Sequence, residues 1–331
     1  MKHSLKPTPE IHTVLGAGQI GLLLARRLAR AGREVRLVRR NEGGPKIAGV
    51  RRIRGDITAP SFADEVCAGA TTVYNCLSPA AYHRWNEELP PLWRGAMGGA
   101  TRAGARLVVL DNLYMIGQAP TQPFDEQTKE NPCSEKGELR AKLAEELFAA
   151  HRRGDVCATS GRASDFFGPH TPLSAIFHPR FFARLAKGKP VEVMGDPDQP
   201  HSYSYTPDVA RGLEILGTHE HAPGRVWHLP VASQLTTREL IETFARRLGV
   251  NANVRVIPRW MLRAIGLFAP VVGAAVEMVY QWEGPQLVSD AQFCRTFNCK
   301  ATTLDVAVES TLEAHELTPS VSQQRSFSAK T

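Results

Sequence analysis

Several features that would define other classes of protein are absent from this sequence. Its six cysteines among 331 residues form no CxxC pair and have no regular spacing, which argues against a disulfide framework or a zinc site. The net charge is +7, but no lysine-rich arm or basic repeat gathers the basic residues. We therefore expect no nucleic-acid partner. The histidines also lack the spacing of metal ligands, so we assign no metal.

Long hydrophobic runs are absent as well. In the apolar segment at 260–282, the uncharged part between Arg263 and Glu277 contains Pro270 and is far shorter than a membrane-spanning helix of roughly 20 apolar residues. This segment predicts a buried or interfacial pair of helices rather than an integral membrane segment. No secretory leader follows MKHSLKPTPE, and we expect a cytoplasmic protein whose cysteines are reduced.

The first half of the chain alternates short apolar segments with amphipathic ones. Strands are predicted at IHTVL, EVRLVRR, VRRIRGDI, TTVYNCLSP, ARLVVLDN and DVCATSGR, and helices lie between most of them. This spacing is typical of βαβ units, and right-handed crossovers then produce a Rossmann-type doubly wound parallel sheet. After about Pro169 the chain becomes rich in loops and aromatic residues. The predicted fold class is therefore α/β, with a smaller C-terminal substrate lobe.

A glycine-rich turn follows the first predicted strand. Gly16, Gly18 and Gly21 form a GxGxxG motif that also contains Gln19 and Ile20, with a strand before it and a helix after it. The first glycine permits a tight turn, the second lets the backbone approach a pyrophosphate, and the third lets the helix pack on the sheet. The motif in this context predicts a dinucleotide site at the helix N-terminus.

The end of the second strand distinguishes the two nicotinamide dinucleotides. NAD sites place an acidic residue there for the ribose hydroxyls, whereas this chain has Arg39 and Arg40. Two guanidinium groups suit a 2′-phosphate, so we expect NADP, with NAD as the alternative. Ordinary surface arginines remain another interpretation of this pair.

Four regions follow from these patterns. We predict a flexible N-terminus at 1–10 and an NAD(P)-binding Rossmann domain at 11–165, to which 203–228 returns. The substrate lobe is predicted at 166–202 and 229–315, and a disordered tail at 316–331.

The order and spacing of five segments resemble the extended or atypical short-chain dehydrogenase/reductase superfamily, in its NAD-dependent epimerase/dehydratase branch. The segments are VLGAGQIG, RGDIT, LDNLYMIG, GRASDFFGPH and HSYSYTPDVARGL, and the likeness covers roughly residues 11–315. The resemblance implies further cofactor-binding residues at the ends of three of the strands and on one helix. They are Asp56, Ile57, Cys76, Leu77, Ser78, Lys142, Arg162, Ala163, Ser164 and Asp165.

The catalytic pattern of the family is altered. Active members carry Tyr-x-x-x-Lys on one helix and a Ser or Thr after the fifth strand. Here Lys142 is matched to the lysine, Glu138 stands at the tyrosine position, and Asn112 stands at the Ser/Thr position. A carboxylate has an unperturbed pKa near 4.3, against about 10 for a phenol, so Glu138 is not a simple replacement.

Four interpretations of this helix stay open. In the first, Tyr114 donates the proton and Asn112 binds a substrate carbonyl. In the second, water or Glu138 transfers the proton. In the third, the cleft senses NADP(H) without turnover, and in the fourth, Glu138 and Lys142 form only a surface pair. We expect an NAD(P)-dependent oxidoreductase or epimerase/dehydratase, with the silent NADP(H)-binding sensor as the alternative.

The substrate is expected to be a small molecule that reacts at a carbonyl or hydroxyl. Nucleotide-sugar members usually carry an arginine where this chain has His201, and histidine is a weak partner for a diphosphate. We therefore expect a substrate other than a nucleotide sugar. The resemblance also implies a homodimer as a candidate assembly.

Overall fold

The fold is built on one parallel sheet of seven strands. The computed structural model describes residues 10–79 and 81–317. The strands are β1 (Ile11–Leu15), β2 (Glu34–Arg39), β3 (Val50–Arg54), β4 (Thr72–Asn75), β5 (Arg106–Asp111), β6 (Cys157–Arg162) and β10 (Val226–His228). Their order across the sheet is β3-β2-β1-β4-β5-β6-β10, with every neighbouring pair parallel. Because the order reverses beside β1, the predicted Rossmann-type doubly wound sheet is confirmed.

Four shorter strands form two small sheets outside the main one. They are β7 (Asp165–Phe167), β8 (Val191–Met194), β9 (Tyr203–Tyr205) and β11 (Val254–Ile257). β7 pairs with β9, and β8 pairs with β11.

Eleven α-helices are present in the part of the chain that the structure describes. They are α1 (Gln19–Arg30), α2 (Pro60–Cys67), α3 (Trp85–Ala103), α4 (Glu135–Arg152), α5 (Pro179–Leu185), α6 (Thr206–Thr218), α7 (Thr237–Leu248), α8 (Arg259–Gly266), α9 (Pro270–Ala275), α10 (Ala291–Phe297) and α11 (Leu304–Ala314). Short 3₁₀ turns lie at Tyr82–Arg84, Tyr114–Ile116 and Val276–Trp282.

The sheet is covered by helices on both faces, as its apolar strands require. One core cluster joins the sheet to α2, α3 and α4, and a second joins it to α1 and α6. A third cluster lies outside the main sheet and contains aromatic side chains from α5 and α7, including Phe182 and Phe244, whose ring centroids are 5.1 Å apart. The boundaries of the two predicted lobes stay a prediction.

Local sequence signals explain several helix ends. Ser134 caps α4 by accepting a hydrogen bond from the Gly137 amide at 3.1 Å. Thr236 and Glu239 form a reciprocal capping box at the start of α7. The predicted flexible N-terminus and disordered tail lie almost entirely outside the described residues.

The apolar segment at 260–282 forms α8, α9 and the last 3₁₀ turn, which confirms the prediction of separate short helices. Within 10–79 and 81–317, no helix combines the length and the apolar character that crossing a membrane requires.

Candidate active site

The glycine turn has the geometry that its motif predicts. Gly16 has a φ of +101°, and a Cβ there would lie 2.7 Å from the carbonyl oxygen of Cys76. A Cβ on Gly21 would lie 1.9 Å from the carbonyl oxygen of Gly16, so α1 packs directly against the turn. Both positions therefore require glycine for the fold itself.

Gly18 differs from the other two glycines. It is the N-cap of α1, and a Cβ there would meet nothing within 4 Å. No side chain caps this helix end, so its backbone N–H groups face open space. This arrangement can accept a pyrophosphate. Of the two residues that follow, Ile20 is buried, and the side-chain oxygen of Gln19 accepts a hydrogen bond from the Leu173 amide at 3.4 Å.

The residues expected around the adenosine half lie at the ends of β2 and β3. Arg40 is exposed, and the Arg39 guanidinium donates to the carbonyl oxygen of Gly43. The backbone amide and hydroxyl of Thr58 donate to Asp56 at 2.9 and 2.8 Å, and these bonds, helped by Arg40, hold the pKa of Asp56 below its usual value. Ile57 beside it is buried.

The loop after β4 contains the other residues matched to the cofactor's diphosphate and ribose. Burial raises the pKa of the Cys76 thiol to about 12, so this thiol stays neutral. The Leu77 amide donates to the side-chain oxygen of Asn75 at 3.2 Å, and Ser78 is exposed.

The orientation of helix α4 separates the predicted catalytic pair from the residues on its buried side. Glu138 and Lys142 lie on its exposed face, whereas Lys136 and Arg140 are buried, with relative exposures of 6% and 5%. Residues four apart share one face of a helix, so Lys136 and Arg140 form one pair and Glu138 and Lys142 form another. The second pair is two residues further along the helix, a rotation of about 200°, and therefore points away from the first pair. Lys136 and Arg140 are therefore the two residues on the inward face of α4, and Arg140 is the one that contacts the end of β5.

Arg140 belongs to a buried charge cluster. Its guanidinium donates to Asp111, the last residue of β5, at 3.0 Å, and the Arg162 guanidinium lies 3.9 Å from the other oxygen of the same carboxylate. Arg162 also pairs with Glu130 at 2.5 Å. Arg140 additionally lies over the ring of Trp85, 4.7 Å from its centroid. These contacts hold the Arg140 side chain of α4 against the end of β5.

Tyr114 lies beside this cluster, whereas Asn112 has a local structural contact. The side-chain oxygen of Asn112 accepts a hydrogen bond from the Tyr114 amide at 3.2 Å. The Tyr82 hydroxyl donates to the Tyr114 hydroxyl at 3.3 Å, and the Tyr114 ring stacks on Trp85 at 5.9 Å. Burial raises the pKa of Tyr114 to about 12 and also raises that of Tyr82, so both phenols are protonated at neutral pH.

Lys136 points toward the C-terminal part of the chain. Its ammonium contacts Glu277 at 2.5 Å and the carbonyl oxygen of Ala274 at 3.0 Å, and it lies 4.7 Å from the centroid of the Tyr82 ring. These groups border a cavity of about 270 Å³. Its lining includes His83, Trp85, Asn86, Glu135, Lys136 and Glu277.

The loop after β6 holds the remaining predicted residues. The Ala163 amide donates to the carbonyl oxygen of Asp111 at 3.0 Å, and the Ser164 hydroxyl donates to that of Ser202 at 2.5 Å. Asp165 lies 2.8 Å from the Nε2 atom of His201. The His201 imidazole is therefore bonded to the Asp165 carboxylate and not to the anionic group of a ligand.

Sequence reasoning missed Lys136, Arg140, Asp111, Tyr82 and Glu277. One signal was available, because Lys136 and Arg140 have the same i,i+4 spacing as Glu138 and Lys142. Glu277 had no such signal, since it is 141 residues from Lys136 in the chain. Among the described residues, no group of three or more His, Cys, Asp or Glu side chains could hold a metal ion.

The sheet order and the glycine turn together define a Rossmann-type α/β protein. The sequence pattern of the NAD dependent epimerase/dehydratase family matches residues 13–229, well over half of the chain. The chain belongs to this family, which confirms the resemblance found in its motifs.

Solved structures share the fold at low sequence identity. A double mutant of DesIV, a dTDP-glucose 4,6-dehydratase from Streptomyces venezuelae with NAD bound, is 17% identical with a TM-score of 0.75, over 93% of this chain and 97% of that chain. The epimerase Mth375 from Methanothermobacter thermautotrophicus is also 17% identical with a TM-score of 0.75, over 97% and 95%. MoeE5 in complex with UDP-glucose and NAD is 20% identical with a TM-score of 0.70, over 96% and 99%.

Two curated relatives come from Sinorhizobium fredii (strain NBRC 101917 / NGR234). The protein y4nL is 28% identical over 168 residues, which cover 48% of this chain and 45% of that protein. The protein y4nG is 22% identical over 255 residues, which cover 73% of this chain and 61% of that protein. The matched part thus spans less than two thirds of either relative.

Proposed function

We propose that the chain binds a nicotinamide dinucleotide at the carboxyl ends of β1, β2 and β4 and acts as an oxidoreductase or epimerase/dehydratase. The observation that carries this proposal is the pairing of an open helix N-terminus at Gly18 with the inward face of α4. Fold neighbours solved in complex with NAD support it. When bound, the nicotinamide would supply hydride transfer.

NADP is the dinucleotide that we propose, with NAD as the alternative. β2 ends in Arg39 and is followed by Arg40, so the position that would carry an acidic residue in an NAD site carries guanidinium groups. The exposed Arg40 suits a 2′-phosphate. Several fold neighbours were solved in complex with NAD, so thermal shift with both dinucleotides is the direct comparison.

For the proton, we retain Tyr114 as the proposed donor and place Lys136 and Arg140 in the roles first given to Glu138 and Lys142. The Tyr114 hydroxyl is protonated at neutral pH, and its bond from Tyr82 holds it in a fixed orientation. The Lys136 ammonium lies over the Tyr82 ring, 4.7 Å from its centroid, where it stabilises the ring that orients Tyr114. Asn112 is not given a part in this mechanism, because its side-chain oxygen accepts from the backbone.

The substrate that we propose is a small molecule bearing a carbonyl or hydroxyl and lacking a nucleoside diphosphate. His201 is buried, paired with Asp165 and stacked on Trp282 at 5.6 Å, so it offers no exposed cation. Two carboxylates, Glu135 and Glu277, also line the cavity beside Lys136 and would repel a diphosphate. The neighbours that act on or bind nucleotide sugars make UDP-glucose and dTDP-glucose necessary comparison compounds.

A catalytically silent NADP(H)-binding sensor is the second candidate. The observation that favours it is the ion pair between Lys136 and Glu277 at 2.5 Å, on a helix that contains no tyrosine. In a sensor, the dinucleotide would change this contact between α4 and the C-terminal part of the chain without being consumed.

The experiment is a screen of carbonyl compounds that follows NADPH absorbance, with Tyr114→Phe and Lys136→Met as test variants. Glu138→Gln and Lys142→Ala are the matched controls on the exposed face of the same helix. Turnover that falls at least about tenfold in both test variants and in neither control supports the enzyme. Dinucleotide binding without turnover supports the sensor. Turnover lost in Lys142→Ala but retained in Lys136→Met would overturn the placement on α4.

A further inference from the structure

The exposed apolar surface of the described residues is concentrated in one helical hairpin, made of α8, the turn 267–269 and α9. Large apolar side chains are exposed at nine positions, and six of these lie in the hairpin, between Trp260 and Val271. At the tip, Leu267 is 82% and Phe268 is 91% exposed, and Trp260 at the start of α8 is 67% exposed. Such a concentration marks an interaction surface, because soluble proteins expose large apolar residues singly.

Close backbone packing explains why these side chains face outward. A Cβ on Gly266 would lie 2.6 Å from the Cα of Gly273, so the two helices touch through their backbones rather than through interleaved side chains. Leu262 is the buried residue of α8, and the inner side of α9 contributes Gly273 and Ala274 to the cavity beside Lys136. The hairpin therefore covers the candidate site with one face and leaves the other apolar face uncovered.

Positive charge accompanies this face. Arg263 on α8 is exposed and has no carboxylate within 4.0 Å among residues 10–79 and 81–317, whereas Arg259 is paired with Glu283 at 3.0 Å. Arg255 lies outside the hairpin on β11, where its register partner on β8 is Glu192. An interfacial membrane helix has this composition, with a tip of Leu and Phe, a Trp at headgroup level and arginines for anionic lipids.

We propose that the hairpin docks the protein on the surface of an anionic lipid bilayer. Leu267 and Phe268 insert below the headgroups, and Arg263 contacts a lipid phosphate. The short helices lie in the interface and do not cross it, in keeping with the lengths of α8 and α9. Docking through this outer face leaves the residues of the candidate active site untouched.

The test is co-sedimentation of the full chain with vesicles of phosphatidylcholine alone and of phosphatidylcholine mixed with phosphatidylglycerol. We expect binding to the mixed vesicles, a fall of at least about tenfold in the partition coefficient for Leu267→Ser/Phe268→Ser, and weaker binding at high salt. Arg263→Gln should weaken the preference for the mixed vesicles. Leu173→Ser is the matched control, because Leu173 is 75% exposed and lies outside the hairpin.

Light scattering and thermal unfolding complete the test. All variants should unfold at the wild-type temperature, because the exchanged side chains are exposed. The absence of binding to mixed vesicles would overturn the proposal, as would an equal loss of binding in Leu173→Ser. A concentration-dependent dimer that Leu267→Ser/Phe268→Ser dissociates would overturn it in favour of contact with a second copy.

Discussion

Exchange of Asp111 for asparagine should destabilise the fold strongly. The Asp111 side chain is fully buried, and the side chains of its neighbours Arg140 and Arg162 are 6% and 4% exposed. Asparagine keeps the shape but removes the charge that both guanidiniums face. Loss of one partner from a buried ion pair typically costs about 3–5 kcal/mol, because the remaining charge stays uncompensated. Arg162 retains Glu130, so we expect the lower half of this range for Asp111→Asn.

The assay is urea unfolding at pH 7, read as the midpoint at an unchanged slope of the transition. Glu146→Gln is the matched control, since it removes the carboxylate of the surface pair with Arg94 and should cost less than about 1 kcal/mol. The double variant Asp111→Leu/Arg140→Met should recover part of the loss, because it removes a charge together with its partner. A cost for Asp111→Asn no greater than that for Glu146→Gln would refute the buried cluster as a source of stability.

Three further predictions concern stability. Gly21→Ala should lower the unfolding temperature without any ligand, because its Cβ would lie 1.9 Å from the Gly16 carbonyl oxygen. Thr236→Ala should cost about 1 kcal/mol in urea unfolding by removing the cap of α7. Burial, assisted by a neighbouring arginine, lowers the pKa of His228 to about 4, so its contribution to stability is complete above pH 6.5 and is lost as pH falls toward 4. In His228→Gln the free energy of unfolding should fall less steeply over that range.

The nucleotide-binding half of the fold could be predicted because its signals are local. Strand, glycine turn and helix follow one another within Ile11–Arg30, and each element has its own periodicity. The C-terminal half could not be placed in the same way, since β8 pairs with β11 across some sixty residues and its short strands have no alternation of their own. The cavity depends on such contacts, because Glu277 reaches Lys136 only after the chain has folded.

The phase of α4 was the part of the site that the motif misplaced. A Tyr-x-x-x-Lys pattern can be aligned at Glu138 and Lys142, where only the tyrosine is replaced, or two residues earlier at Lys136 and Arg140, where both residues are replaced. Both alignments keep the four-residue spacing. Only packing against Asp111 and Trp85 distinguishes them, and it selects Lys136 and Arg140. The helix itself was therefore predictable, whereas its inward face was not.

Thermal unfolding with NADPH, NADH and their oxidised forms, in the wild type and in Gly18→Val, tests dinucleotide binding most directly. A Cβ at Gly18 meets no protein atom within 4 Å, so the variant should unfold at the wild-type temperature without ligand. We predict that NADPH raises the unfolding temperature of the wild type and not that of Gly18→Val, because the added side chain occupies the space of the pyrophosphate. If no dinucleotide stabilises the wild type, or if Gly18→Val is stabilised equally, the proposed cofactor site is contradicted.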